Sequence, residues 1–205
     1  MDKNWVITIA RNYGSGGRAL AKELSKELDI PFYDRDIAKL ASEQSGIAEH
    51  MFGEVDERIR KVFVSYKGKY QSKPLPPEDS DFTSDDNLFE LEAEVIKKLA
   101  DEGNCIIVGR CADYILKDRD NVISIYFYAS EEDCIKRLDE TIGGGEEWLS
   151  KKKARIDKHR ADYYKYYTGR NWTDLSNYDI CINTGSMTHA QLVEVVKNYM
   201  KLKEM

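Results

Sequence analysis

Short apolar runs of strand length alternate with longer amphipathic segments from one end of this chain to the other. Along 19–28 and again along 88–99, apolar residues recur about every four positions, which is the spacing of one helix face. Strand alternating with helix predicts an α/β fold, in which a parallel sheet carries helices on both faces. The strand-like runs are 5–10, 30–33, 105–108, 122–128 and 178–183.

Length and composition favour one water-soluble domain. A chain of 205 residues suits a single folding unit, and its 41% hydrophobic residues can form a core. No run approaches the roughly 20 apolar residues that cross a bilayer, and residues 1–5 lack the apolar stretch of a signal peptide. We therefore expect one cytoplasmic domain over 1–205, with no membrane partner.

Charge and cysteine spacing argue against two other classes of protein. The net charge of -6 disfavours nucleic-acid binding, because phosphate backbones select basic surfaces. The four cysteines form no C-x-x-C pair and do not cluster with the three histidines, so no zinc site is expected. Cys105 and Cys181 lie in strand-like runs, where reduced core thiols are expected. The expected partners are small molecules.

A glycine-rich loop interrupts the chain where the first strand-like run gives way to the first helix. It reads Ala-Arg-Asn-Tyr-Gly-Ser-Gly-Gly-Arg over 10–18, with glycines at Gly14, Gly16 and Gly17. Such a loop lets backbone N–H groups converge on an anion, and the helix dipole adds partial positive charge there. We expect the loop to bind a phosphate. The alternative is a turn that only joins two elements.

The loop departs from the P-loop pattern G-x-x-x-x-G-K-[ST] at two positions that carry chemistry. Arg11 stands at the first glycine position when Gly16 is taken as the second. Gly17 then replaces the lysine, which normally reaches the β- and γ-phosphates, and Arg18 replaces the hydroxyl residue, which normally holds magnesium. Arg11 or Arg18 could restore the charge. Ser15 is the only local serine or threonine that could ligate a metal.

Four segments carry a family signature. They are Ile-Thr-Ile-Ala-Arg-Asn-Tyr-Gly-Ser-Gly-Gly-Arg at 7–18, Pro-Phe-Tyr-Asp at 31–34, Ile-Ile-Val-Gly-Arg-Cys-Ala-Asp-Tyr-Ile at 106–115 and Tyr-Tyr-Lys-Tyr-Tyr-Thr-Gly at 163–169. Taken in this order, they resemble the cytidylate kinase-like family. The resemblance implies a three-layer P-loop nucleoside monophosphate kinase fold with a parallel sheet of about five strands. It also implies a monophosphate-binding insertion over 47–87 and a lid over 141–170.

For activity, the resemblance implies transfer of a phosphoryl group from ATP to CMP or a related pyrimidine monophosphate, with Mg²⁺. Ser15 would serve as the local metal ligand. The residues expected to bind ATP are Arg11, Gly14, Ser15, Gly16, Gly17 and Arg18.

The acceptor is expected at the ends of the second and third strand-like runs. Arg110 follows the third run, at a carboxyl end where open α/β sheets place their ligands. The resemblance makes it the guanidinium that grips the acceptor phosphate, and the alternative is a plain surface arginine. Asp34 and Arg35 follow the second run and could meet the nucleoside or magnesium. Equally, Asp34 could cap the next helix.

A charged helix after the triple glycine of 143–145 carries the candidate lid residues Arg155, Asp157 and Arg160. The Asp-x-x-Arg spacing puts Asp157 and Arg160 on one helix face. The resemblance places these residues in an arginine-bearing lid, with Asp157 touching the substrate. Because lid arginines neutralise charge on the transferred group, Arg155 and Arg160 join Arg18 as candidate catalytic residues. The alternative is a solvated helix with ordinary ion pairs.

Three functions compete. The first is a nucleoside monophosphate kinase. The second is a protein on the same fold that binds a nucleotide without turning it over, which the missing loop lysine favours. The third is a kinase for another small acceptor, because the proline-rich stretch 67–86, which we expect to be mobile, contains no base-reading signature.

Overall fold

The computed structural model describes residues 4–58 and 68–203. Its centre is a sheet of five strands in the order β2-β3-β1-β4-β5, and every pairing is parallel. The strands are β1 (Val6–Arg11), β2 (Phe32–Tyr33), β3 (Cys105–Val108), β4 (Val122–Tyr128) and β5 (Ile180–Asn183). Each overlaps a strand-like run of the sequence, so the predicted parallel α/β sheet is confirmed.

Eight helices connect and cover these strands in the described part of the chain. They are α1 (Gly17–Leu28), α2 (Asp36–Ser45), α3 (Glu49–Arg58), α4 (Asp85–Glu102), α5 (Ala112–Ile115), α6 (Glu131–Ile142), α7 (Glu146–Thr168) and α8 (His189–Leu202). Over residues 4–58 and 68–203, no helix combines the length and the apolar character needed to cross a bilayer.

The two faces of the sheet bury separate hydrophobic clusters. Along β1, Ile7 and Ile9 pack with the buried leucines of α1 and the apolar face of α8, while Val6 and Ala10 pack with α2, α4 and α7 on the other side. Alternation of this kind follows from the two-residue period of a strand. The sheet is therefore the middle of three layers, as the sequence predicts.

Three helix starts, those of α4, α6 and α8, follow local capping chemistry. Ser130 begins α6 by accepting the N–H of Asp133, as its sequence predicts, and Thr188 forms a capping box with Gln191 at α8. The start of α2 differs, because its N-cap residue is Arg35 and no side chain caps the helix. Asp34 pairs with arginine side chains instead. The interpretation of Asp34 as a helix cap is therefore wrong.

The second half of α7 belongs to the hydrophobic core. Tyr163, Tyr164 and Tyr167 are buried, and the Tyr167 ring stacks on Phe89 with centroids 3.7 Å apart. A charged helix with little apolar surface was expected to move as a lid over its whole length. The buried tyrosines fix its carboxyl-terminal half, so any lid movement falls to the half that starts at Glu146.

The stretch expected to be mobile makes hydrogen bonds with α7 and α4 where the structure describes it. The N–H groups of Lys69 and Tyr70 donate to the carbonyls of Tyr166 and Tyr167, each at 3.1 Å. The buried carboxylate of Glu90 accepts two further N–H groups, at 2.6 and 3.0 Å, from the same segment. Residues 59–67 of the predicted insertion lie outside the described residues. Mobility of 67–86 stays a prediction.

Candidate active site

A cavity of about 300 Å³ opens where β1, β2 and β3 end, beneath the inner face of α7. β1 contributes its last two residues, β2 and β3 contribute residues that follow them, and His159 and Arg160 of α7 cover the cavity. Arg110, Asp34 and Arg35 all line this cavity, so the structure brings the residues predicted for the acceptor to one place. The carboxyl edge of the sheet is where open α/β folds bind ligands.

Arg11 is one of the largely buried cations that line this cavity. Its Nε is buried and has no hydrogen-bond partner among the described residues, and its Nη2 lies 3.7 Å from Asp34 Oδ1. Burial lowers the pKa of Arg11, the neighbouring guanidinium of Arg160 lowers it further, and Asp34 opposes both. A bound anion would relieve both the desolvation and the like-charge repulsion.

Sequence reasoning placed Arg11 in the ATP loop, whereas the structure directs its guanidinium into the cavity beside Asp34 and Gly109. The guanidinium passes over Gly109, where an added Cβ would lie 2.6 Å from Arg11 Nη1. Gly109 also has a φ of 79°, which favours glycine. Glycine at the end of β3 thus makes room for an arginine from β1.

Arg18 is directed to the same side. From the first turn of α1 its Nε contacts Asp34 Oδ2, while about half of its side chain is exposed. Asp34 therefore joins two arginines that the sequence assigned to the ATP loop. This arrangement does not support Arg18 as the replacement for the missing loop lysine.

Arg110 is anchored from below by a buried carboxylate. Its Nη1 lies 3.4 Å from Glu92 Oε2 on α4, and the Glu92 side chain is only 4% exposed. The backbone of Arg110 has a φ of 53°, in the left-handed region that side chains rarely adopt. An ion pair and an unusual backbone geometry together hold this guanidinium at the cavity. Glu92 was missed because nothing in its amphipathic helix marks it.

Asp113 is a second carboxylate, besides Asp34, that lines the cavity. It accepts a hydrogen bond of 2.6 Å from the Tyr164 hydroxyl, and burial raises its pKa to about 6, against the lowering effect of that bond. Sequence reasoning missed its role, although it lies within the 106–115 segment. Its partner Tyr164 comes from α7, so only the folded chain reveals the pair.

The glycine-rich loop has the strained shape that glycine permits. Gly14 and Gly16 have φ values of 84° and 80°. Two of its N–H groups donate inside the loop: Ser15 N to Asn12 O at 3.3 Å, and Gly17 N to Ser15 Oγ at 3.4 Å. The N–H groups of Gly14, Gly16 and Arg18 remain the predicted phosphate donors.

Ser15 has a structural role in this conformation. Its side chain is buried, and the hydroxyl donates to Asn12 O at 2.9 Å. Its carbonyl accepts from Arg137 Nη1 at 3.1 Å and from Thr184 Oγ1 at 2.7 Å. To ligate magnesium, the Ser15 hydroxyl would have to give up its hydrogen bonds with Asn12 O and Gly17 N. No sequence motif pointed to Arg137 or Thr184, which fasten the loop from α6 and from the end of β5.

The inner face of α7 docks on the loop through two predicted residues. Asp157 Oδ1 accepts the N–H of Tyr13 at 2.7 Å, and Arg160 Nη1 donates to Arg11 O at 2.8 Å. The two side chains are 3.5 Å apart, so the predicted shared face is present. Asp157 thus positions the loop, and a contact between it and a substrate stays a prediction.

Arg155 lies on the outer side of α7. It is exposed, whereas Asp157 and Arg160 are partly buried against the loop. Two residues correspond to a rotation of about 200° around a helix, which carries Arg155 away from the site. The structure does not bring this predicted catalytic residue to the cavity.

Comparison with known proteins agrees with this geometry. Residues 6–186 match the model of the Cytidylate kinase-like family. A cytidylate kinase from Methanosarcina mazei is 25% identical over 197 residues, which cover 93% of each chain. Among solved structures, an uncharacterized protein from Eubacterium ventriosum is 25% identical, covers 96% of this chain and 98% of its own, and superposes with a TM-score of 0.71. A shikimate kinase from Bacteroides thetaiotaomicron shares the fold at 14% identity and a TM-score of 0.53, with 98% and 99% of the chains covered.

Proposed function

Since this chain belongs to the cytidylate kinase-like family, we propose that it transfers the terminal phosphoryl group of ATP to a nucleoside monophosphate, CMP or a related pyrimidine monophosphate. The observation that carries this proposal is the convergence of Arg11, Arg110 and Arg160 on one cavity beside the glycine-rich loop. Planar guanidinium forks match the oxygens of a phosphate monoester. The acceptor's phosphate would fill the place where these cations repel one another.

The chemistry requires no covalent intermediate, because phosphoryl transfer is catalysed mainly by positioning and by charge neutralisation. Arg160 is placed to neutralise charge. It lines the cavity and donates to Arg11 O at the start of the loop, which supports a place between the proposed donor and acceptor sites. Charge that develops on the transferred group would meet this guanidinium. Asp157 holds both Arg160 and the loop in register.

The described residues offer no preformed magnesium site at the loop. Within 4–58 and 68–203, no three His, Cys, Asp or Glu side chains are grouped to hold a metal ion. The Ser15 hydroxyl is engaged by Asn12 and Gly17, and Asp34 is engaged by arginines. Mg²⁺ would therefore be held mainly by the phosphates of ATP and by water, and the protein's own cations would add to the charge neutralisation.

A rival proposal is a protein that binds nucleotide or phosphate without catalysis. It is favoured by one observation, the presence of Gly17 and Arg18 where P-loop kinases have lysine and a hydroxyl residue. A kinase for a non-nucleotide acceptor is the other possibility, because the shikimate kinase of the same fold phosphorylates a different class of molecule.

One assay separates the three. The chain is incubated with Mg-ATP and, in turn, CMP, dCMP, UMP, AMP, GMP or shikimate, and ADP formation is followed. We expect turnover with CMP or another pyrimidine monophosphate, and its loss in Arg160→Met. ATP binding without ADP formation from any acceptor would support the binding protein. Turnover of shikimate alone would support a kinase for a non-nucleotide acceptor.

A further inference from the structure

The absent loop lysine has a steric cause. A Cβ added to Gly17 would lie 2.8 Å from the Cβ of Arg11 and 3.1 Å from the Cβ of Phe127. Both neighbouring atoms are attached directly to the backbone, so neither can rotate away. The loop as folded has no room for a side chain at the lysine position, and the cation for an ATP phosphate has to come from another element.

The arginines nearest the loop are already engaged elsewhere. Arg18 contacts Asp34, and Arg11 extends into the acceptor cavity. Arg137 donates to the carbonyls of Ser15 and Thr184, behind the loop. None of these three guanidiniums faces the outer side of the loop, where α7 covers Tyr13.

Arg160 lies on that side, with its guanidinium 5.8 Å from the centre of the Tyr13 ring, and it donates to Arg11 O. Lys153 of α7 is a second cation there. Its Nζ lies 3.0 Å from Asp157 Oδ2, and the other oxygen of the same carboxylate accepts the N–H of Tyr13 at 2.7 Å. Its side chain is 17% exposed, whereas Lys151 and Lys158 on the same helix are 76% and 75% exposed. Lys153 is thus held against the loop, whereas Lys151 and Lys158 are exposed to solvent.

We propose that Lys153 replaces the missing loop lysine and binds the β- and γ-phosphates of the nucleotide donor. This inference rests on the proposed function only in taking ATP as the donor. In the free protein Asp157 is its counter-ion. An ammonium on a flexible four-carbon stem can move from one carboxylate to a polyphosphate that carries more charge and more acceptor oxygens. Because the lysine belongs to α7, donor binding would also draw that helix onto the loop.

A purely structural ion pair makes a different prediction. If the pair of Lys153 with Asp157 only supports the fold, its removal would affect the binding of all nucleotides equally. A lysine that contacts the terminal phosphates would instead distinguish ATP from AMP. Nucleotide selectivity is therefore the decisive measurement.

Calorimetry on the full chain with ATP and with AMP, each without acceptor, tests the proposal. Lys153→Met should weaken ATP binding about 10- to 100-fold, the range of a hydrogen bond between charged groups, and leave AMP binding nearly unchanged. Lys153→Arg should keep most of the ATP affinity. Lys151→Met and Lys158→Met are the matched controls and should bind both nucleotides like the wild type.

The outcomes separate this inference from the proposed function. Equal ATP affinity in Lys153→Met and wild type, or an equal loss for ATP and AMP, would overturn the role of Lys153 alone. A selective loss of ATP binding without turnover of any acceptor would support Lys153 and overturn the kinase. Failure of the wild type to bind ATP would overturn both. If Lys153→Met does not fold, Lys153→Gln carries the same expectation.

Discussion

At the scale of single residues, Arg110 combines a binding role with a structural one. Because Glu92 is buried beneath it, Arg110→Ala would take an ion-pair partner away from a carboxylate in the protein interior. We expect this variant to weaken CMP binding by roughly 1.5–3 kcal/mol and also to lose about 3 kcal/mol or more of stability. Calorimetry with CMP and thermal unfolding without ligand measure the two effects.

The double variant Glu92→Gln/Arg110→Ala separates these roles. Replacing the buried carboxylate by a neutral amide should recover much of the lost stability, because an amide carries no charge that needs the guanidinium as counter-ion. CMP binding should stay weak, since the guanidinium is still missing. Recovery of CMP affinity together with stability would show that Arg110 only supports the fold.

The raised pKa of Asp113 predicts that the stability of the protein depends on pH. Its folded pKa of about 6 lies above the ordinary value of 3.8, so the native state binds more protons than the unfolded state between these pH values. Its contribution to stability therefore falls as pH rises through that window, and the cost is fully present above it. Asp113→Asn should be about 1–3 kcal/mol more stable than wild type at pH 8.

Denaturant unfolding of Asp113→Asn and wild type at pH 5 and pH 8 checks this expectation. Taking the difference between the two proteins removes the effect of every other titrating group. The amide can still accept the Tyr164 hydroxyl, so the hydrogen bond is preserved. A stability difference that does not change between the two pH values would contradict the raised pKa.

At the scale of elements, α7 is expected to behave as two halves. Residues 163–168 are largely buried in the core, whereas residues 146–157 bury Leu149 and otherwise contact other elements through polar side chains such as Ser150 and Asp157. Local opening is easier where few apolar side chains are buried. Amide hydrogen exchange should be fast in the first half without ligand and slower with ATP plus CMP, while the second half stays protected in both states.

Gly143, Gly144 and Gly145 provide the hinge for this movement, since all three have positive φ values. A ligand effect spread evenly over 146–168 would favour movement of the whole helix, as its charge pattern suggested. The absence of any ligand effect in 146–157 would argue against closure. Exchange in α8, which packs on the opposite face of the sheet, serves as the internal control.

At the scale of the whole molecule, a net charge of -6 coexists with a cavity where guanidiniums cluster. We expect inorganic phosphate at millimolar concentration to bind there and to stabilise the fold. At tenfold above its dissociation constant the gain is about 1.4 kcal/mol, which corresponds to about 3–5 °C in Tm for a chain of this size. Sodium chloride at equal ionic strength should give no such shift, and Arg11→Met should reduce it. An equal shift with both salts would point to general screening.

Much of the fold and part of the site could be predicted from local patterns. The five strands, their parallel arrangement and the glycine-rich loop follow from hydrophobic periodicity and from glycine spacing within a few residues. Arg110, Asp34 and Arg160 were expected at the site because they follow strands or share a helix face. The carboxyl ends of parallel strands meet at one edge wherever the chain forms such a sheet.

The sequence by itself therefore determined which segments become strands and helices and which edge of the sheet carries the site. Only the tertiary structure decided which cation faces which part of that site. Arg11 and Arg18 pair with Asp34 instead of facing the loop, and Arg155 faces solvent. Asp157 bonds Tyr13 from 144 positions along the chain and holds Lys153 beside it. The physical reason is that a long charged side chain pairs with whatever charge lies nearest in space. That distance depends on how distant elements pack, which local spacing does not encode.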